Sequence, residues 1–131
     1  MKLLVTGGTG FTGSCLVEYL IDKGHHITVL DNQKGISYDH LIKKGANIIL
    51  GSTTDREAVR KSLEDVQGVF HLAAAFRQIN ASKKTYWDTN VEGTRILCEE
   101  ALKKPLEKFV YCSTQGVHGD IKNPPGNDDS P

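Results

Sequence analysis

The chain has 131 residues, with sixteen basic and sixteen acidic side chains, so its formal charge is zero at neutral pH. That length suits one domain with a core of its own. The charge balance gives no reason to expect nucleic acid or an anionic membrane surface as a partner, and no apolar run approaches the roughly 18 residues of a membrane span.

In chain order, the short apolar run of Leu3, Leu4 and Val5 predicts a first strand over Lys2–Thr6. The opening Met1-Lys2-Leu3-Leu4 is too short in apolar length to be expected as a secretory signal. Residues 5–13 read Val-Thr-Gly-Gly-Thr-Gly-Phe-Thr-Gly. Gly8, Gly10 and Gly13 satisfy G-x-G-x-x-G, and Gly7, Gly10 and Gly13 satisfy G-x-x-G-x-x-G. A glycine run between a strand and a helix suits a dinucleotide pyrophosphate. The turn is tight, the backbone must approach the phosphates without a Cβ, and the helix must sit close to the strand. The helix N-terminus then offers N–H groups and a positive dipole end to the anion.

That helix is expected over 11–23, with Leu16, Val17, Leu20 and Ile21 as its apolar stripe and Gly24 as its C-terminal stop. A strand over 27–30 ends at Asp31, 18 residues after Gly13, where a dinucleotide site wants an acid. A short helix follows over 37–44, then a strand over 46–50. Asp55 reads as the N-cap of a helix over 56–63. A strand over 69–72 is closed by Ala73-Ala74-Ala75. A long helix over 82–104 stops at Pro105, and a last strand covers 109–112.

Strands alternating with helices predict an α/β fold with a doubly wound parallel sheet, a Rossmann arrangement of five strands in the order 3-2-1-4-5. Ligands then gather at the C-terminal ends of the strands, near the switch between strands 1 and 4. Residues 1–121 read as one domain, and residues 122–131 as a polar tail or a linker cut short. Cys15, Cys98 and Cys112 form an odd set without metal-type spacing. They fit a reduced, cytoplasmic protein, each as a small buried residue. No metal site is expected at His25-His26, whose side chains would point to opposite faces of a strand.

Four further blocks fall at the expected strand ends or on the long helix: Leu30-Asp31-Asn32, His71-Leu72-Ala73-Ala74, Asn90-Val91-Glu92-Gly93-Thr94 and Phe109-Val110-Tyr111-Cys112-Ser113-Thr114. With the glycine motif they resemble, in order and over nearly the whole chain, the extended short-chain dehydrogenase/reductase family. That family holds the NAD-dependent sugar-nucleotide epimerases and dehydratases. The resemblance implies NAD held by Gly7, Gly10, Phe11, Thr12, Gly13, Asp31, Asn32, Ser52, Thr53, Leu72, Ala73, Ala74, Asn90 and Ser113. Asp31 is expected to accept hydrogen bonds from the adenosine ribose and to repel a 2′-phosphate, favouring NAD over NADP. Ser52 and Thr53 match the adenine contact, where the family more often carries Asp in place of Ser52. Leu72, Ala73 and Ala74 would lie along the cofactor. Asn90 would bridge helix and strand backbone beneath the site. Thr114 matches the family's catalytic Ser/Thr, whose hydroxyl binds the reacting substrate oxygen.

The family moves its proton with a Tyr and a Lys four residues later, on the helix after strand 5. The only such spacing here, Tyr19 and Lys23, sits at the wrong end of the first helix. Tyr38, Tyr86 and Tyr111 have Ile42, Asn90 and Gln115 four residues on, so none substitutes. The expectation is therefore the NAD-binding part of a longer enzyme, whose substrate would be a nucleotide sugar. A complete NAD-sensing module and a steroid- or flavonoid-type reductase stay open as alternatives. On the long helix Trp87, Val91, Thr94, Cys98 and Leu102 recur at helical spacing. With strand 5 as an open edge, they lead us to expect a homo-oligomer.

Overall fold

The structure, a computed structural model, describes residues 1–76, 81–121 and 124–127. Five parallel strands form one sheet in the order β3-β2-β1-β4-β5: β1 (Lys2–Thr6), β2 (His26–Asp31), β3 (Asn47–Leu50), β4 (Gly68–His71) and β5 (Lys108–Tyr111). The order and the direction are those the sequence predicts. In the central register Val5 lies beside Val29 on one side and Phe70 on the other.

Side chains alternate across the sheet and so divide the core in two. Leu3, Val5, Ile27 and Val29 face α1 (Phe11–Asp22) and α2 (Tyr38–Lys43), where Val17, Leu20 and Leu41 meet them. Leu4, Leu30 and Val69 face α3 (Arg56–Ser62) and α5 (Gly93–Ala101), where Val59, Leu63 and Leu97 are fully buried. The helix ends follow the sequence signals. Asp55 caps α3 by accepting from the N–H groups of Glu57 and Ala58. Gly24 stops α1 with φ +81°.

The long helix expected over 82–104 is instead three pieces. A first α-helical segment, α4 (Lys83–Trp87), leads into a wide π-turn at Asp88–Glu92, and α5 follows. The widening falls where two tertiary contacts are made. The Asn90 amide turns onto the backbone of Ala75, and Gly93 lies against Thr53, whose Oγ1 is 2.3 Å from where a Cβ would stand. Asn90 and Gly93 are weak helix formers, but propensity does not name the partners they meet, and the apolar periodicity reads straight through the turn.

One other expectation needs correction, and two further features of the fold stand beside it. Cys15 and Cys112 are exposed rather than buried, the first on the outer face of α1, the second just beyond β5. All four residues of β5 are exposed, because nothing among the described residues covers this edge strand. Finally, the buried face of α5 carries an acid. Glu100 is 3% exposed yet charged, and it is met by Arg56 at 2.5 Å, Lys103 at 2.8 Å and Arg60 at 3.1 Å. These partners, Lys103 first, push its carboxyl down to about 2. They also tie α3 to α5 across the sheet face. The polar tail expected over 122–131 is described only at 124–127, which form no helix or strand; 122, 123 and 128–131 lie outside the described residues.

Replacing Gly93 by Ala should force the π-turn away from Thr53 and cost about 1–3 kcal/mol. Urea unfolding would show it; an unchanged midpoint would mean the helix approaches Thr53 without needing glycine.

Candidate functional site

The glycine loop between β1 and α1 is shaped by two close approaches. Gly7 has φ +69°, and a Cβ there would lie 2.9 Å from the Ala73 nitrogen. A Cβ on Gly13 would lie 2.1 Å from the Gly7 carbonyl oxygen. Only glycine lets the first turn of α1 rest on the end of β1 and lets β1 turn over the end of β4. Gly10 occupies the N-cap of α1 and offers no side-chain cap. The N–H groups of the first turn are therefore left for another acceptor.

These groups open onto a cavity of about 310 Å³ at the C-terminal ends of the strands. It is lined by Gly7, Gly10, Phe11, Thr12, Gly13, Asp31, Asn32, Ser52, Thr53, Leu72, Ala73 and Ala74. Twelve of the residues singled out in the sequence thus share one cavity. Gln33, Thr85 and Thr89 also line it and escaped the sequence reading. Gln33 is the neighbour of Asn32, so a longer reading of that block would have reached it. Thr85 and Thr89 lie on α4 and the π-turn, and only tertiary folding brings them to the loop.

Three expected residues do not line the cavity. Asn90 lies beneath it. Its Oδ1 accepts from the Ala75 N–H at 2.7 Å and its Nδ2 donates to the Ala75 carbonyl at 3.0 Å, which holds the segment after β4 against the π-turn. Ser113 and Thr114 are exposed beyond β5. The Thr114 hydroxyl oxygen accepts from the Gly116 N–H at 3.2 Å, a local strand-end bond that leaves its proton free to donate.

A buried polar chain supports the cavity floor, and its centre, His71, was not singled out as a site residue. The Thr94 hydroxyl donates to the Asn90 carbonyl at 2.9 Å, so its single proton is spent. His71 Nε2 must then be the donor across its 2.9 Å contact to Thr94 Oγ1. In the neutral ring Nδ1 is bare and accepts the Thr6 hydroxyl at 2.6 Å. The Thr6 oxygen in turn accepts the N–H groups of Leu72 at 3.2 Å and Ala73 at 3.1 Å. Every proton has a place, and the chain runs from α5 to the strand end that lines the cavity. Burial lowers the His71 pKa to about 4. No local signal in the sequence marks this residue, because Thr6 meets His71 only through the register of the folded sheet.

Tyr19 and Lys23 are exposed at the far end of α1, with the ammonium 5.5 Å from the ring centroid. They lie outside the cavity lining.

Comparison with known proteins follows the same outline. A sequence model of the NAD dependent epimerase/dehydratase family matches residues 3–131. A UDP-glucose 4-epimerase of Neisseria meningitidis serogroup B is 34% identical over 99% of this chain and 41% of its own length. A UDP-N-acetyl-alpha-D-glucosaminuronate decarboxylase of Bacillus cytotoxicus is 36% identical over 98% of this chain and 41% of its own. Among solved structures, the Bordetella bronchiseptica enzyme WbmG in complex with NAD superposes with a TM-score of 0.88 at 29% identity, over the whole of this chain and 43% of that one. The chain thus spans about two-fifths of the length of these relatives.

His71 makes stability depend on pH with a definite sign. The unfolded chain binds the imidazole proton near 6.5, the folded one only near 4. Between these values the unfolded state holds more protons. The contribution is therefore complete above about 6.5 and is lost as pH falls toward 4, on the order of 3 kcal/mol in all. Urea midpoints measured between pH 7.5 and 4.5 should fall steeply, and His71→Gln should flatten that slope. An equal slope in the variant would show that His71 is not the group responsible.

Proposed function

The chain belongs to the NAD-dependent epimerase/dehydratase family, and we propose that it forms the NAD-holding portion of a sugar-nucleotide epimerase or dehydratase that works by hydride transfer. One observation carries the reading: the uncapped start of α1, the Gly7–Gly13 close approach and Asp31 meet in a single cavity. The residues fit a dinucleotide along its length. The loop and the N–H groups of α1 take the pyrophosphate. Asp31 takes the ribose hydroxyls, with Asn32 beside it and Ser52 and Thr53 at the adenine end. The small side chains of Ala73 and Ala74 leave room for the nicotinamide half.

NAD, when bound, takes up and returns a hydride, which is the chemistry no side chain supplies. What the chain contributes is placement. The Thr6–His71–Thr94 chain holds the backbone of Leu72 and Ala73 in place under the cavity. Thr114, with its oxygen already accepting from Gly116, would donate its proton to a substrate oxygen. Among the described residues the family's Tyr/Lys pair has no counterpart at the site, so this stretch is proposed to bind without turning substrate over. The named relatives act on UDP-sugars, which supports a nucleotide sugar as the substrate of the whole protein. The exposed Trp87, Val91 and Leu102, together with the bare β5, support self-association.

Two measurements test this. Calorimetric titration should show NAD binding more tightly than NADP, and Asp31→Ala should narrow the difference by removing the charge that faces the 2′ position. Equal or tighter binding of NADP by the native chain would sink the assignment. Light scattering after size exclusion should show a dimer or larger assembly at high micromolar concentration. Val91→Glu should dissociate it if the helix carries the contact and leave it intact if β5 does. A clean monomer counts against self-association.

A further inference from the structure

We infer that Thr9 is a positioning residue that sets the preference for NAD over NADP, acting through Asp31 without touching the cofactor. The inference rests on the NAD-binding reading above and adds to it a determinant inside the glycine loop itself. Thr9 is 1% exposed and does not line the cavity. Its polar atoms are turned toward the end of β2. The N–H donates to Asp31 Oδ2 at 3.0 Å, and the hydroxyl donates to the same oxygen at 2.7 Å. The Gln33 carbonyl lies 3.2 Å from that hydroxyl. The Gly35 N–H donates back to Thr9 Oγ1 at 3.1 Å. The approach is close enough that a Cβ on Gly35 would stand 2.2 Å from the Thr9 carbonyl oxygen.

A hydroxyl has one proton, and the short bond to a carboxylate is the stronger use of it. The two oxygens of Asp31 are thereby made unequal. Oδ2 is spent on the loop. Oδ1 receives only a long 3.4 Å approach from the Gln33 N–H and keeps its acceptor capacity. Thr9 thus decides which oxygen is left for a ribose diol. It also holds the 33–35 segment down beside the cavity, with the carboxylate charge fixed in place. Both effects act at the ribose, where NAD and NADP differ, and neither acts at the pyrophosphate, which they share. Removing the hydroxyl should therefore weaken NAD and leave NADP nearly unchanged, a pattern that general loosening of the loop would not give.

The test is calorimetric titration of the chain with NAD and with NADP for the native protein, Thr9→Val, Thr9→Ser, Asp31→Asn and the Thr9→Val/Asp31→Asn pair. Thr9→Val should lower the NAD preference roughly tenfold, the scale of one lost charge-assisted bond. Thr9→Ser should keep the preference. On the Asp31→Asn background the valine change should no longer alter the ratio, because the two act as one unit. A valine variant that loses both cofactors equally, or that alters the ratio with Asp31 already gone, overturns the inference. Melting curves without ligand report whether each variant folds. If valine does not, the serine variant decides: a kept ratio supports the inference, and a lost ratio overturns it. A native chain with no preference for NAD removes the NAD reading and this inference together. A native chain that prefers NAD while Thr9→Val keeps the full ratio removes this inference alone.

Discussion

The carbonyl oxygen of Gly7 lies 2.1 Å from where a β-carbon on residue 13 would stand. From that approach the rest of the site follows. It brings the start of α1 down onto the end of β1, so the free N–H groups of the helix point into the crevice above the strands. Gly7 itself turns with φ +69° and lies against Ala73, which closes the loop over the end of β4. A glycine loop that touches both α1 and β4 leaves a cavity between them, and the Asp31 end of β2 bounds it on the other side. The same approach leaves no slack in the loop for a larger residue at 7 or 13.

Two buried hydroxyls then fix the walls on either side of the loop. Thr6 belongs to β1 and gathers the N–H groups of Leu72 and Ala73 through one oxygen, its own proton resting on His71. Thr9 belongs to the loop and gathers Asp31 and Gly35. Three residues apart in sequence, they work in opposite directions, one toward β4 and one toward β2. Each accepts backbone N–H groups just past a strand end, Leu72 and Ala73 at Thr6 and Gly35 at Thr9. Such groups are costly to bury without a partner. The polar side chains are thus part of the loop's structure, and the cavity is preformed as a result.

Away from the site, the helices on the α3/α5 face are joined by charge as well as by apolar packing. Glu99 and Glu100 both receive Arg56, and Arg60 and Lys103 complete the set around Glu100. A nearly buried carboxylate is tolerable there because several cations neutralise it. The opposite situation holds at β5. Its residues Phe109, Val110 and Tyr111 are apolar yet open, and among the described residues only Lys108, at its start, brings a charge to the strand.

Much of this was legible in the residues. Alternation of short apolar runs with helical stripes, the glycine spacing and the distance to Asp31 are local signals, and they led to the sheet order and to Gly7, Gly10, Gly13 and Asp31 of the cavity; its other eight expected residues came from the family resemblance. The resemblance of the strand-end blocks to a known family pointed the same way as the family match over residues 3–131. Other features left no local mark. The π-turn at Asp88–Glu92, the buried proton chain through His71, the commitment of Thr9 to Asp31 and the charged Glu100 under α5 all depend on groups brought together from distant parts of the chain. Sequence periodicity records which face of an element is apolar. It does not record which polar group on one element meets which on another, because a hydrogen bond needs both partners placed within a fraction of an ångström, and only the folded chain places them.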